Sequence, residues 1–372
     1  MTNRTKIVLV AGARPNFMKV APIIRELRKH EDVFDWSLVH TGQHYDHGMS
    51  DVFFQELGIP EPKFHMGAGG GSHAEQTARI MVAFEKYCEA QKPDLVMVVG
   101  DVNSTLACSI VAKKLNIKVA HVEAGLRSGD MQMPEEINRM VTDSISDYFF
   151  VTEPSGVENL KREGHSDDKI YFVGHVMIDN LFYQLEQLKQ MNTRVFSTDA
   201  LKTRLGKYGV VTLHRPSNVD DKETLTKIIS ALVVVSTSLP LVFAIHPRTA
   251  RNLEAFELVL PDSIICTEPL PYMDFLNLWR DAALILTDSG GIQEESTALG
   301  IACITMRKNT ERPVTVTEGT NRLVGTDAVK IIDTAREFLQ GGTRIQRKRP
   351  QFWDGQAAGR IIETLLKQRV SG

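Results

Sequence analysis

KIVLVAGARPNFMKVAPIIREL, residues 6–27, followed by WSLVH at 36–40, decides the fold. Ile7–Val10 form a continuous apolar run, the pattern of a strand covered on both faces. Gly12 lets the chain turn sharply, and Pro15 suits the first turn of a helix. Val20, Ile23, Ile24 and Leu27 then recur at helical spacing, and a second apolar strand follows. Strand, helix, strand in that order is one turn of a parallel α/β sheet.

Working outward, the pattern repeats to the end of the chain. Further strands read at Leu95–Val99, Val119–Val122 and Tyr148–Val151. A second set reads at Gly209–Leu213, Leu241–Ile245, Ser263–Cys266, Ala283–Leu286 and Ala302–Thr305. The polar stretch from Gln184 to Gly206 separates the sets and reads as a helix leading into a linker. With 372 residues the chain exceeds the usual size of one core. The expectation is α/β architecture with two doubly wound, Rossmann-like domains. A last amphipathic stretch, Ala357–Gln368, can pack on either.

Composition narrows the partners. Lys and Arg number 43 against 46 Asp and Glu, a net charge of −3, with no basic block. That gives no electrostatic reason to expect nucleic acid or an anionic membrane. Cys88, Cys108, Cys266 and Cys303 are scattered with no CxxC pair, which argues against a disulfide framework and fits a reducing compartment. No signal pattern opens the chain, and no apolar run approaches the ~20 residues of a membrane helix. A cytoplasmic location is expected.

In open α/β sheets ligands sit beyond the carboxyl ends of the strands, so the loops there carry the chemistry. Arg14 and Lys19 lie near a helix N-terminus after the first strand, an arrangement suited to phosphate. There is no GxGxxG, hence no dinucleotide fingerprint. GDVNST (100–105) and HVEAGLR (121–127) each put a carboxylate directly after an apolar strand. Asp101 reads equally well as a helix N-cap or as a catalytic group. Glu123 is a poor cap in apolar surroundings, and desolvation there suits it to general acid–base work. PEEINR (134–139) opens a helix with Pro134 and puts Glu135 and Glu136 in its first turn, which is ordinary helix chemistry. What raises Glu135 is two other carboxylates at neighbouring strand ends, since proton abstraction from carbon needs a positioned base and a partner acid.

In the second half, LHRPSN (213–218) and AIHPR (244–248) put His214–Arg215 and His246 at two strand ends, an anion-facing wall. No HxH, HExxH or nearby Cys accompanies them, so no metal site is expected. In LTDSGGIQEE (286–295), a strand runs through Ser289-Gly290-Gly291 into a helix, making a nest of backbone N–H groups fit for a diphosphate. The alternative role for the two glycines is close packing of helix on strand. Glu295, about one turn on, is placed to accept from ribose hydroxyls. Arg312 offers another cation for the same region.

Together these motifs resemble one family, the non-hydrolysing UDP-N-acetylglucosamine 2-epimerases. The resemblance rests on GARPNFMK (12–19), GQHYD (42–46), GDVNST (100–105), HVEAGLRSGD (121–130), PEEINR (134–139), LHRPSN (213–218), TDSGGIQEE (287–295) and TERPV (310–314), in this order along nearly the whole chain. It implies the fold of B-type glycosyltransferases, with an interdomain cleft. The N-terminal domain would span 1–185, completed by a returning helix at 356–372, and a UDP-binding domain would span 186–355. It implies a homodimer with no metal or nicotinamide cofactor. It implies that Arg14, His214, Ser289, Gly290, Gly291 and Glu295 hold UDP, with Phe275 near the uracil, and that Arg139 and Arg312 also face the substrate. Asp101, Glu123 and Glu135 would surround the sugar, with Lys19 and His214 close to the leaving group. The implied reaction removes the C2 proton, expels UDP to give a 2-acetamidoglucal, and re-adds both with the opposite stereochemistry.

Some members of the family bind a second UDP-N-acetylglucosamine as an activator, and Gln43, His44, Glu136, Arg215 and His246 match parts of that site. Two departures weaken the match. Asp46 stands where such members carry a longer amide, and the Gly67–Gly71 loop lacks an Arg that some of them use. GQHYD and LHRPSN also occur in members acting on diacetamido uronates, which leaves the exact sugar open. The competing readings are a hydrolysing epimerase that releases the free sugar, a B-type glycosyltransferase, and an inactive nucleotide-sugar sensor. Three sugar-facing carboxylates argue against the last two, whereas access of one water decides between hydrolysing and non-hydrolysing enzymes.

Overall fold

The computed structural model describes residues 4–42, 51–191, 195–341 and 349–370. They fall into two compact units, Met1–Gln184 with Gln351–Gly372, and Leu185–Pro350.

The first unit holds seven strands: β1 (Thr5–Ala11), β2 (Phe34–His40), β3 (Phe64–His65), β4 (Leu95–Val99), β5 (Lys118–Val122), β6 (Tyr148–Val151) and β7 (Ile170–Phe172). Every pairing is parallel, in the order β3-β2-β1-β4-β5-β6-β7. The second holds β8 (Gly209–Thr212), β9 (Leu241–Ala244), β10 (Ile264–Thr267), β11 (Leu284–Thr287), β12 (Cys303–Thr305) and β13 (Asn321–Leu323). These are also parallel, in the order β10-β9-β8-β11-β12-β13. Helices separate successive strands throughout, so both sheets are doubly wound, as expected.

The ten expected strands are present with ends moved by one or two residues, while β3, β7 and β13 were not foreseen. These three are two or three residues long and lie at sheet edges, and β3 is exposed. A strand that short needs no apolar run and leaves no periodicity to read. Central β4, by contrast, is buried at every position.

In each sheet the winding direction reverses once, between β1 and β4 and between β8 and β11. These switch points are where a doubly wound sheet opens a crevice at its carboxyl ends. The helix Arg14–Leu27 presses Phe17, Val20, Ile23, Ile24 and Leu27 onto β1, which fixes the loop before it. Gly12 is needed there for space: a Cβ would come within 2.2 Å of Ser104 Oγ.

The final helix, Ala357–Val370, belongs to the first unit, where Ala357, Ala358, Ile361, Ile362 and Leu365 join the same core. The Ala357 and Ala358 N–H groups at its start donate to the Asp179 carboxylate at 3.1 and 2.7 Å. Burial pushes that carboxyl up to about 6 although the two N–H groups oppose it. Residues 351–355 also lie with the first unit: Trp353 is buried and donates to the Thr152 carbonyl at 3.1 Å. The stretch from Gln184, expected as a helix leading into a linker, begins as the last two turns of the helix Val176–Gln190, which spans the division between units. Among the described residues no helix is long and apolar enough to cross a membrane.

Candidate active site

The switch point of the first unit gathers acidic and basic side chains in pairs. Glu123 follows β5 with φ +76°, a left-handed conformation that costs a non-glycine residue roughly 1 kcal/mol or more. It is 2% exposed, and Lys19 Nζ from the first helix lies 2.5 Å from its Oε2. Glu123 is thus buried as expected, but in an ion pair rather than in purely apolar surroundings. Asp101 follows β4, and Arg139 grips its Oδ2 through Nε at 3.0 Å and Nη2 at 2.9 Å. The next helix, Asn103–Lys114, is capped by Val102 without a side-chain bond, so Asp101 is not the N-cap that its position allowed.

The helix Pro134–Ile145 supplies the remaining groups. Glu136 is buried; it accepts from the Ser128 and Gly129 N–H groups and from Arg139 Nη1 at 2.5 Å. Arg139 is therefore divided between Asp101 and Glu136, with a side chain only 4% exposed. Expected as a substrate contact, it is held between these two carboxylates. Glu136, expected in a regulatory site, orders the 128–129 loop. Glu135 is half-buried, and its carboxylate makes no ion pair or hydrogen bond among the described residues. Arg14 is half-buried with its guanidinium 5.1 Å from the centre of the Phe53 ring. Asn16 went unforeseen: its Oδ1 accepts from Gly12 and Ala13, and its Nδ2 donates to Val99 O, tying the β1 and β4 loops together.

The second unit's switch point is built differently. Ser289, Gly290 and Gly291 begin the helix Gly290–Leu299 and are half-exposed. A Cβ at Gly290 or Gly291 would meet nothing within 4 Å. Packing of helix on strand therefore does not call for glycine here; the Ser289 N–H donates to the Thr287 hydroxyl at 2.9 Å, while Gly290 and Gly291 open the first turn of the helix. Asp288, just before them, is fully buried and accepts from the His214 and Arg215 N–H groups and from Asn218. Its Oδ1 lies 3.0 Å from His214 Nδ1. Burial pushes the Asp288 carboxyl up, but the His214 ring and the two backbone N–H groups outweigh it and hold it below the usual range. The acceptor at Nδ1 fixes the His214 tautomer and leaves Nε2 for chemistry. Asp288 stands in the motif without an assigned role; its partners lie 70 to 74 residues away, so no local spacing announces it.

Glu295 is buried one turn into that helix, 3.4 Å from the Tyr272 hydroxyl. Burial, reinforced by Glu294, pushes its carboxyl up to about 8. Phe275 lies one turn after Tyr272 on the helix Tyr272–Trp279 and is half-buried. Arg312 pairs with Glu294 through Nε, so the cation expected to face substrate has a protein partner. His246 caps the helix Pro247–Ala255 by accepting from the Arg248 N–H at 3.2 Å; its ring centre is 6.2 Å from that of His214. Arg215 is half-buried, and its Nε is buried with no hydrogen-bond partner among the described residues. Gln43, His44 and Asp46 lie outside the described residues.

No group of three or more His, Cys, Asp or Glu among the described residues is arranged to hold a metal ion. A cavity of about 900 Å³ does open at the amino ends of β1, β4 and β5, lined by Ile7, Phe34, Ile117, Tyr148 and Leu365 among others. It contains none of the residues above, and ligands of such sheets bind at the opposite ends of the strands.

Comparison with known proteins matches this arrangement to one family. The family model described as UDP-N-acetylglucosamine 2-epimerase matches residues 25–366. A UDP-N-acetylglucosamine 2-epimerase of Methanocaldococcus jannaschii is 42% identical over 367 residues, covering 97% of this chain and 98% of the relative. Its crystal structure in complex with UDP-GlcNAc and UDP superimposes with a TM-score of 0.85, covering 98% of this chain and 100% of that one. A UDP-2,3-diacetamido-2,3-dideoxy-D-glucuronate 2-epimerase of Pseudomonas aeruginosa is 40% identical, covering 97% of this chain and 99% of the relative. At 12% identity, the glycotransferase of kitacinnamycin still aligns over 99% of both chains with a TM-score of 0.59, a likeness of fold alone. Two doubly wound sheets, the paired acidic cluster and a family match along nearly the whole chain lead to one statement: this protein belongs to the UDP-N-acetylglucosamine 2-epimerase family.

Proposed function

We propose that this chain interconverts UDP-N-acetylglucosamine and its manno isomer by inverting C2, without releasing free sugar. The observation that carries the reading is Glu123, a buried carboxylate held at φ +76° against Lys19 and flanked by the Asp101–Arg139 pair. Strain and buried charge are retained where a mechanism uses them.

In this reading Glu123 or Asp101 takes the C2 proton. The C2–H electron pair becomes the C1=C2 double bond of a 2-acetamidoglucal, and the C1–O bond breaks with its pair moving to the β-phosphate of UDP. Return of a proton to the opposite face of C2, with re-addition of UDP at C1, closes the cycle. Glu135 is the third carboxylate for these transfers. The N–H groups of Gly290 and Gly291, with His214, stabilise the charge that develops on the diphosphate. Glu295 takes the ribose hydroxyls, and Phe275 with Tyr272 borders the base. The relative solved with UDP-GlcNAc and UDP supports a UDP-sugar substrate.

The test is incubation with UDP-N-acetylglucosamine in D2O, followed by NMR. Deuterium at C2 with the UDP-linked manno isomer as product supports the proposal. Free N-acetylmannosamine overturns the non-hydrolysing reading, and absence of exchange overturns epimerisation. A second substrate is favoured by the 40% identical relative named for a diacetamido glucuronate. A higher kcat/KM on that uronate than on UDP-N-acetylglucosamine would move the assignment to it. The homodimeric state is supported by an exposed apolar stripe, Ile137, Met140 and Val141 on one helix, and sedimentation measures it.

A further inference from the structure

The loops after β4 and β5 are joined beneath their functional side chains by one fully buried imidazole. His121, on β5, is 0% exposed, and its Nε2 lies 2.8 Å from the carbonyl oxygen of Gly100. Its Nδ1 lies 2.7 Å from Oδ1 of Asp143, also 0% exposed. Both neighbours are acceptors. A carbonyl has no proton to give, and the other oxygen of Asp143 already accepts from the Gly125 N–H at 3.1 Å and from Arg127 Nη1 at 2.8 Å. Burial pushes the Asp143 carboxyl up, but the His121 ring and the Arg127 guanidinium outweigh it and hold it below the usual range. A ring between two acceptors donates from both nitrogens, and only the imidazolium does so.

We infer that His121 is a positively charged positioning residue for proton transfer at C2. This rests on the functional reading above and deepens it. Through Gly100 O, His121 fixes the peptide that enters Asp101, where the chain turns at φ +67°. Through Asp143 and the Gly125 N–H, it secures the turn in which Glu123 sits at φ +76°. A cation bonded beneath two carboxylates favours their charged, base-competent form. The charged groups on the elements packed around it are Asp143, Glu136 and Arg139 on one helix, Arg127 with Glu163 behind it, Lys19 with Glu123, and Asp101. All but Glu163 lie at or next to the proposed reacting centre, so the pH profile reads the change directly.

The experiment uses the full-length enzyme labelled with 15N-histidine. His121 gives two downfield N–H signals, which disappear in His121→Gln. In the D2O exchange assay, His121→Gln lowers kcat about a hundredfold. KM and UDP affinity stay within about threefold, and the acidic limb of the kcat profile moves up by about one pH unit. His121→Asn, which likewise removes the cation, produces the same limb shift and serves if the glutamine variant fails to fold. A merely structural pair would lower stability and the amount of active enzyme without moving that limb. A single His121 N–H signal, or an unmoved acidic limb in a folded variant, overturns the inference. Wild-type enzyme that exchanges no C2 proton overturns the functional reading, and the catalytic half of this inference falls with it even where both signals are present.

Discussion

The two switch points occupy the same place in two sheets of the same winding, yet they are filled in opposite ways. Beyond β1, β4 and β5, side chains dominate: Glu123 with Lys19, Asp101 with Arg139, and Glu136 closing the set. Beyond β8 and β11, side chains are withdrawn. Gly290 and Gly291 carry no side chain into the space before them, and the fully buried Asp288 is turned onto His214 and backbone N–H groups. Paired side-chain charges suit proton transfer, because each carboxylate has a partner that sets its charge and direction. Oriented backbone dipoles suit a diphosphate, because they meet spread negative charge without rotamer entropy. In the proposed reading one topology supplies a reacting half and a holding half, and loop chemistry decides which is which.

The largest expected effect breaks the comparison at its acidic half. Glu123→Gln should lower C2 exchange by about a thousandfold or more while UDP affinity, measured by calorimetry, stays within about tenfold. Equal loss of both would mean that the two switch points do not divide the labour. Next, Gly290→Ala or Gly291→Ala should weaken UDP binding by roughly ten- to a hundredfold, about 1.4–2.7 kcal/mol, with little change in melting temperature, since the new methyl meets no protein atom. Gly12→Ala should do the reverse. Its methyl would strike Ser104, so a destabilisation of roughly 1–3 kcal/mol is expected by thermal unfolding, with UDP affinity unchanged.

The smallest effect concerns Glu295, whose carboxyl is raised to about 8 by burial and by Glu294. A raised carboxyl binds its proton more tightly when folded. The stability it confers is full below the usual carboxylate range and is lost as pH rises toward about 8. Glu295→Gln should therefore leave the ligand-free melting temperature unchanged near pH 5 and raise it by about 2–4 °C near pH 8, on the order of 1 kcal/mol. A difference independent of pH would show that Glu295 does not carry the buried proton.

Much of this was readable in advance where the signal is local. The run at 6–10, the glycine turn and the helical repeat of Val20, Ile23, Ile24 and Leu27 each involve residues within a few positions of one another, and all three appear in the structure. The strand-end carboxylates were found by the same local logic. The helix Pro134–Ile145 shows where that logic stops. It has two faces at helical spacing, but Glu136, Arg139 and Asp143 are buried while Ile137, Met140 and Val141 are exposed. Periodicity reveals that a helix has two sides. Which side is inside depends on what packs against it, and here the inward side meets Asp101, His121 and the Ser128–Gly129 backbone.

From its residues alone, then, the chain determined its strand–helix alternation, its parallel sheets and the loops that carry carboxylates, histidines and the Ser-Gly-Gly turn. Tertiary structure alone decided who partners whom: Lys19 with Glu123, Arg139 with Asp101, His121 with Asp143, Asp288 with His214, and Asp179 with the start of the last helix. Backbone propensity and apolar periodicity act between near neighbours and are written into the chain, whereas a buried charge is satisfied by whichever distant group folding brings within about 3 Å.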